Sequence, residues 1–218
     1  KGVILSVDLE KAFDRVEHEF LWIILEEFNF PQSFIDCLKR LYRNATSKVL
    51  FNGFLTNSFQ IGKSVRQGCP LSMSLFALYI EPMLMSLNKN IKGVLVDDVF
   101  IRAIAYADDL NIFIRDDEEF SVALELINYY SIYSKIKINF SKSQFLRLNN
   151  CALGPQLIKE SVELKILGVS FYENYQKMIE VNYDKLIRTI TFSLALQSSR
   201  RLNIVQKVWI LNTFILSK

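Results

Sequence analysis

The sequence predicts an α+β fold with helices packed on one face of an antiparallel sheet, and three observations point there. Short β-branched runs alternate with longer stretches of helical period. Two hairpin signals make neighbouring strands antiparallel. No internal repeat or low-complexity linker interrupts the order β-α-α-β-β-α-β-β-α, which short strands and helices then follow. At 218 residues, half of them hydrophobic, the chain has room for one globular domain with a proper core and part of a second.

Val3, Ile4, Leu5 and Val7 form a buried strand that delivers Asp8 to its C-terminal end. Phe20, Leu21, Ile24, Leu25 and Phe28 share one helical face until Pro31, and Phe34, Ile35, Leu38, Leu41 and Tyr42 repeat the period before Asn44. Residues 49–51 and 54–61 flank Asn52-Gly53, a strong hairpin signal. A helix starts after Pro70, which suits a first-turn position, and runs through Leu75, Leu78 and Tyr79 toward Leu87 with a kink at Pro82. Residues 99–106 and 110–114 make a second hairpin around Ala107-Asp108-Asp109. Asp116 caps a helix marked by Phe120, Leu124, Ile127 and Ser131, in which Tyr129, Tyr130 and Tyr133 read as packing residues. Strands follow at 136–139, 145–148 and 162–171, then helices at 181–196 and 203–216. The change from strands to helices near residue 175 divides the chain into residues 1–175 and a helical part, 176–218.

Composition narrows the chemistry. A net charge of +3 permits a nucleic-acid partner without demanding one. Cys37, Cys69 and Cys151 are odd in number, widely spaced and without C-x-x-C pairing, so they read as free thiols in a reducing, intracellular compartment, cytoplasm or nucleus. His18 is the only histidine, which removes most zinc and Ser-His-Asp chemistries. No apolar run approaches the roughly 20 residues of a membrane span, so no membrane partner is expected. The chain opens on Lys1-Gly2 without Met and stops at Lys218 inside a helical pattern, so both ends read as cut from a longer protein.

Asp8 at a strand end and Asp108-Asp109 at a hairpin tip meet on one rim if their strands are neighbours. Like charges ~4 Å apart repel by about 4 kcal/mol at an effective dielectric near 20, so such a cluster takes up protons or cations. Mg²⁺ fits a site of oxygen ligands without histidine or thiolate. Two such ions ~3.5–4 Å apart serve in-line phosphoryl displacement. Taken singly, each aspartate reads as turn or cap chemistry. Asp97-Asp98, just before a strand, has the same dipeptide without the Tyr-Ala lead-in.

The combination is more specific. Ser6-Val7-Asp8-Leu9-Glu10-Lys11-Ala12-Phe13-Asp14-Arg15-Val16 resembles polymerase motif A of reverse transcriptases, Val65-Arg66-Gln67-Gly68-Cys69-Pro70-Leu71-Ser72 resembles motif B, and Tyr106-Ala107-Asp108-Asp109, the YADD form, resembles motif C. Ile138-Asn139-Phe140-Ser141-Lys142-Ser143 is similar to motif D and Ile166-Leu167-Gly168-Val169 to motif E, all in the family's order. The wording is that of LINE-type, non-LTR retrotransposons, whose downstream helices also resemble Arg201-Leu202-Asn203 through Leu216-Ser217-Lys218.

The resemblance implies a polymerase palm, a ferredoxin-like antiparallel sheet with helices on one face, at 1–175. The start of a helical thumb follows at 176–218, and the fingers are largely missing. It implies an RNA-directed DNA polymerase, a nucleotidyltransferase within a retrotransposon polyprotein, with RNA template, DNA primer or target DNA and dNTPs as partners. Asp8, Asp108 and Asp109 are the implied catalytic and metal-binding carboxylates for two Mg²⁺ ions, with Mn²⁺ as substitute. The Leu9 carbonyl is an implied extra ligand. Leu9, Phe13, Gln67, Gly68 and Lys142 are implied at the nucleotide: Phe13 as the aromatic that excludes ribonucleotides, Lys142 facing the triphosphate. Arg66, Tyr106, Leu167 and Gly168 are implied at primer and template. Arg188, Arg200, Arg201 and Lys207 suit a nucleic-acid backbone or a solvated helix face.

Ser64 and Met73 depart mildly from the family's usual Gly and Pro. Rival readings remain: a palm that binds RNA or a protein without catalysis, a group II intron maturase or telomerase-like enzyme, and a cyclase-type palm, which leaves Gln67-Gly68 unexplained.

Overall fold

The computed structural model describes residues 1–149, 151, 157–198 and 202–215. The chain separates into two compact units, Lys1–Ser161 and Val162–Lys218. Residue 175 falls within the second unit, at the first residue of a helix.

In the first unit, β1 (Gly2–Val7) is followed by a 3₁₀ turn (Ala12–Arg15) and two helices, α1 (His18–Glu27) and α2 (Gln32–Tyr42). Four two-residue strands come next: β2 (Thr46–Ser47), β3 (Leu50–Phe51), β4 (Phe54–Leu55) and β5 (Phe59–Gln60). The long helix α3 (Pro70–Asn90) leads to β6 (Val94–Val96), β7 (Val99–Ile101), β8 (Ala103–Tyr106) and β9 (Asp109–Ile114). Helix α4 (Asp117–Ser134), β10 (Gln144–Leu148) and β11 (Lys159–Glu160) complete it.

Five strands form the main sheet in the order β11-β10-β1-β9-β8. All its pairings are antiparallel except β10 with β11. Because side chains alternate along a strand, Val3, Leu5 and Val7 of β1 and Leu110, Ile112 and Ile114 of β9 face one way. They join the core with Leu75, Phe76 and Met83 of α3, Leu21 and Leu25 of α1, and Ile127 of α4. The predicted α+β architecture with helices on one sheet face is therefore present. Alternation also sends Ser6 and Asp8, and Asn111 and Asp109, to the opposite face.

Helix α3 corrects one expectation. Its 21 residues are long and apolar enough to cross a bilayer by length and composition, although serines, Glu81 and Asn88 hide this from a search for an unbroken apolar run. Its apolarity serves the fold: Leu75, Phe76, Tyr79, Ile80, Met83 and Leu87 are buried. The Tyr79 hydroxyl donates to Ser134 O at 2.7 Å and accepts from the Glu17 N–H. Burial holds that phenol far above its ordinary pKa. The helix continues through Pro82.

Other differences are local. The Asn52-Gly53 turn joins β3 to β4 as predicted, but the second arm breaks, and residues 59–60 pair instead with β2. The predicted strand 99–106 is interrupted at Arg102, so Asp97-Asp98 turns a separate two-stranded hairpin of β6 and β7. Residues 136–139 make only one bridge, Ile138 with Leu9, because the chain turns at once: Lys142 and Ser143 N–H both donate to Asn139 O. Of three tyrosines read as packing residues, Tyr130 packs against the core, while Tyr129 and Tyr133 are exposed and meet edge to face at 5.6 Å.

In the second unit, β12 (Glu163–Ile166) and β13 (Val169–Tyr172) form an antiparallel hairpin across the predicted strand region 162–171, turning at Leu167-Gly168. Helix α5 (Tyr175–Ser198) is tied back to β13 by Asn182, which accepts from Ser170 N–H and donates to Ser170 O. Helix α6 (Ile204–Ile210) begins in a capping box of Asn203 and Gln206 and passes into a π-helical turn, Leu211–Ile215. The predicted end of this helix, Leu216, lies outside the described residues.

Candidate active site

Asp8 follows β1 directly, and its position is fixed from both sides. Its N–H donates to Ser143 Oγ at 3.1 Å, and its carbonyl accepts from Asn139 N–H at 2.8 Å. Two residues on, Glu10 N–H donates to Lys137 O. The chain therefore leaves the sheet while still pinned to the segment that carries Lys142. Lys11, at φ 48°, starts the 3₁₀ turn, which places Phe13 against Phe76 in a stack of 4.7 Å and 19°. Arg15 pairs with Glu10 at 2.6 Å.

Asp108 comes from the other side of β1. The β1–β9 register pairs Val7 with Leu110, so one step further sets Asp8 beside Asp109. The β8–β9 register pairs Tyr106 with Asp109. Ala107 and Asp108 form the turn, with Ala107 at φ 53°. The row Tyr106, Asp109, Asp8 thus lies on the sheet face away from the core, with the exposed Asp108 at its tip.

A cleft of about 630 Å³ opens here, lined by Asp8, Leu9, Glu10, Lys11, Ala12, Phe13, Arg15, Gln67, Asp108, Asn139 and Lys142. It brings together two of the three predicted carboxylates and four of the five predicted nucleotide contacts. Asp109, Tyr106, Gly68 and Arg66 are not among the lining residues. Among the described residues no three His, Cys, Asp or Glu side chains are grouped closely enough to hold a metal ion. Glu10, Lys11, Ala12, Arg15 and Asn139 are the lining residues that sequence reasoning missed. The motif strings contain all five, but nothing in a string says which side chains face inward.

Gln67-Gly68 precedes α3. Gly68 sits at φ +83° with open space where a side chain would be, so the backbone conformation is what favours glycine there. Cys69 is the N-cap residue of α3, and a hydrogen bond from the Leu71 N–H, with help from Ser72 and Arg66, holds its thiol below the ordinary value. His18 is structural: its Nε2 meets Ser64 O at 2.8 Å and its ring packs on Tyr42.

Leu167 and Gly168 turn the β12–β13 hairpin of the second unit, both with positive φ, 48° and 88°. That matches the two-residue hairpin turns that need such angles. Arg188 lies on α5 and Lys207 on α6, both exposed. Arg200 and Arg201 lie outside the described residues.

Residues 1–171 match the family model described as reverse transcriptase (RNA-dependent DNA polymerase). A 149 kDa protein of transposon TX1 from Xenopus laevis is 40% identical over 144 residues, 65% of this chain and 11% of that protein. The Pol polyprotein of the type-2 retrotransposable element R2DM from Drosophila melanogaster is 30% identical over 140 residues, 64% of this chain and 13% of that protein. The chain thus spans a small fraction of these relatives. Among solved structures, a C-terminally truncated apo telomerase from Candida tropicalis shares the fold, with a TM-score of 0.58 at 15% identity over 78% of this chain and 34% of that one.

Proposed function

The chain belongs to the reverse transcriptase (RNA-dependent DNA polymerase) family, and from that premise we propose that it adds deoxynucleotides to a primer 3′-hydroxyl on an RNA template. Its relatives in TX1 and R2 elements are of the expected LINE-type, non-LTR kind, so the proposed setting is a longer retrotransposon polyprotein acting inside the cell. The observation that carries the reading is the cleft that joins Asp8 and Asp108 to Phe13, Gln67 and Lys142.

The donor set suits Mg²⁺. Its carboxylates are those of Asp8 and Asp108, and Mg²⁺ is usually held by one or two carboxylates plus substrate phosphates. Asp8 and Asp108, the carboxylates that line the cleft, are the holders in this reading, with Asp109 next to Asp8 in the continued strand register. When bound, two such ions supply Lewis acidity to the attacking and leaving oxygens of phosphoryl transfer.

The chain's own residues do the rest. Phe13, braced on Phe76, presents a rigid wall where a ribose 2′-hydroxyl would have to fit. Lys142 offers a cation and a proton to the departing pyrophosphate side. Gln67-Gly68 brings backbone up to the nucleotide or template, and Arg66 and Tyr106 reach primer and template from the exposed surface. Leu167-Gly168, at the turn of the second unit's hairpin, is proposed to contact the primer strand.

Primer extension by the parent polyprotein on poly(rA)/oligo(dT) with Mg²⁺ tests this. Extension that disappears in Asp8→Ala supports the reading. A folded parent that binds RNA but extends nothing moves the assignment to a palm that binds without catalysis.

A further inference from the structure

Asp8 differs from the residues before it in how its backbone is satisfied. The β1–β10 register runs from Gly2↔Leu148 to Ser6↔Gln144 and stops there. Beyond it, both polar backbone groups of Asp8 are taken by one tight turn, Asn139 to Ser143. Ser143 Oγ accepts the Asp8 N–H at 3.1 Å and donates to Asn139 O at 2.8 Å. Asn139 N–H donates to Asp8 O at 2.8 Å. The Asn139 carbonyl also accepts from Lys142 N–H at 3.2 Å and Ser143 N–H at 2.9 Å. Ser143 is fully buried, and 135 residues of chain separate it from Asp8.

We infer that Ser143 is a positioning residue, whose buried hydroxyl locks the Asp8 backbone to the turn bearing Lys142 and so sets where carboxylate and ammonium stand across the cleft. The inference rests on the polymerase reading above. One hydroxyl serves as acceptor for Asp8 and donor to Asn139, which no apolar side chain can do. Removing it leaves the Asp8 N–H without its acceptor in a partly buried place, while β1 keeps its own ladder bonds to β9 and β10. The loss is therefore local. The Asp8 backbone gains freedom at the point where its side chain must meet a cation within tenths of an ångström.

The test compares the parent polyprotein with Ser143→Ala and Ser143→Thr, which keeps the hydroxyl. For Ser143→Ala the expected result is a fall in kcat of about 10–100-fold, the usual range for groups that orient metal ligands. A several-fold rise in the Mg²⁺ needed for half-maximal rate should accompany it, with a smaller change in nucleotide KM and a melting temperature lowered by about a few degrees, too little to unfold the protein at the assay temperature. Ser143→Thr should recover most of the loss.

Two readouts do not depend on turnover. Mn²⁺ titrated alone should bind Ser143→Ala more weakly, and amide exchange should speed up at Asp8 while residues 3–7 stay protected. Wild-type kcat and Mg²⁺ dependence in Ser143→Ala overturn the inference. So does a loss that merely tracks the folded fraction. If the wild type extends no primer, the polymerase reading fails; unchanged Mn²⁺ binding and Asp8 exchange would then overturn the positioning role independently.

Discussion

Two hairpins of this protein carry an Asp-Asp pair, and only one of them makes a site. Asp97-Asp98 is the whole turn between β6 and β7, whereas Asp108 ends the Ala107-Asp108 turn between β8 and β9 and Asp109 already begins β9. Both turns open with a residue of positive φ, Asp97 at 52° and Ala107 at 53°. The difference lies in what the second strand does next. Among the described residues β6 and β7 pair only with each other, whereas β9 lies inside the five-stranded sheet beside β1. That placement, and not the dipeptide, brings Asp108 into the cleft with Asp8. A carboxylate pair becomes a candidate catalytic feature when its strand is anchored to another strand that ends in a carboxylate.

The sharpest way to break this comparison is to exchange the losses. Asp108→Ala should lower RNA-templated extension by about 10³-fold or more, the scale of losing a group that acts on transition-state charge. Asp98→Ala should stay within about twofold, as expected of an exposed turn residue. Single-turnover extension at saturating Mg²⁺ measures both. Comparable losses in the two variants would show that the sheet context does not decide the matter.

The same comparison explains what is legible in the sequence. β1, the turn at Ala107-Asp108 and the order of the motifs can be read directly, because a β-branched run and a turn are local features. The break at Arg102 cannot: it arises where Arg102 Nε reaches Ile91 O and Arg102 O accepts from Phe113 N–H, both tertiary contacts. Strands β6 and β11, of three and two residues, are too short to carry a period. The exposure of Tyr129 and Tyr133 was available in principle, since Ala123, Ile127, Tyr130 and Ser134 follow helical spacing and form the packed face. The lining role of Arg15 and Asn139, and the hold of Ser143 on Asp8, depend on long-range packing and leave no local mark.

The β6–β7 hairpin has a structural task of its own. Glu119, buried on α4, accepts from the N–H groups of Lys92, Gly93 and Arg115, so it ties the root of that hairpin to the end of β9. Gly93 lies at φ +76°, and a Cβ there would stand 2.1 Å from Ile101 O. Gly93→Ala should therefore cost about 3 kcal/mol, combining a forbidden contact with a disfavoured backbone angle. Urea unfolding checks the figure. If the molecules that remain folded keep their kcat, the first hairpin supports the fold and the second the chemistry. A kcat loss exceeding the folded-fraction loss would instead make the two hairpins one functional unit.

A third Asp-Asp pair, Asp116-Asp117, sharpens the contrast at the smallest scale, because the same dipeptide here caps a helix. Asp116 accepts from the Glu119 N–H at 2.9 Å as the N-cap of α4. That backbone hydrogen bond, aided by Arg115, holds its carboxyl below the ordinary value. Asp116→Ala should cost about 1 kcal/mol near neutral pH, the usual worth of such a cap. With the folded-state pKa depressed, the stabilisation is present above the unfolded value of about 3.9 and disappears as pH falls through the lowered folded value. Urea melts of wild type and Asp116→Ala should therefore differ at neutral pH and converge in acid. A gap that persists in acid would mean that Asp116 acts through packing rather than through its charge.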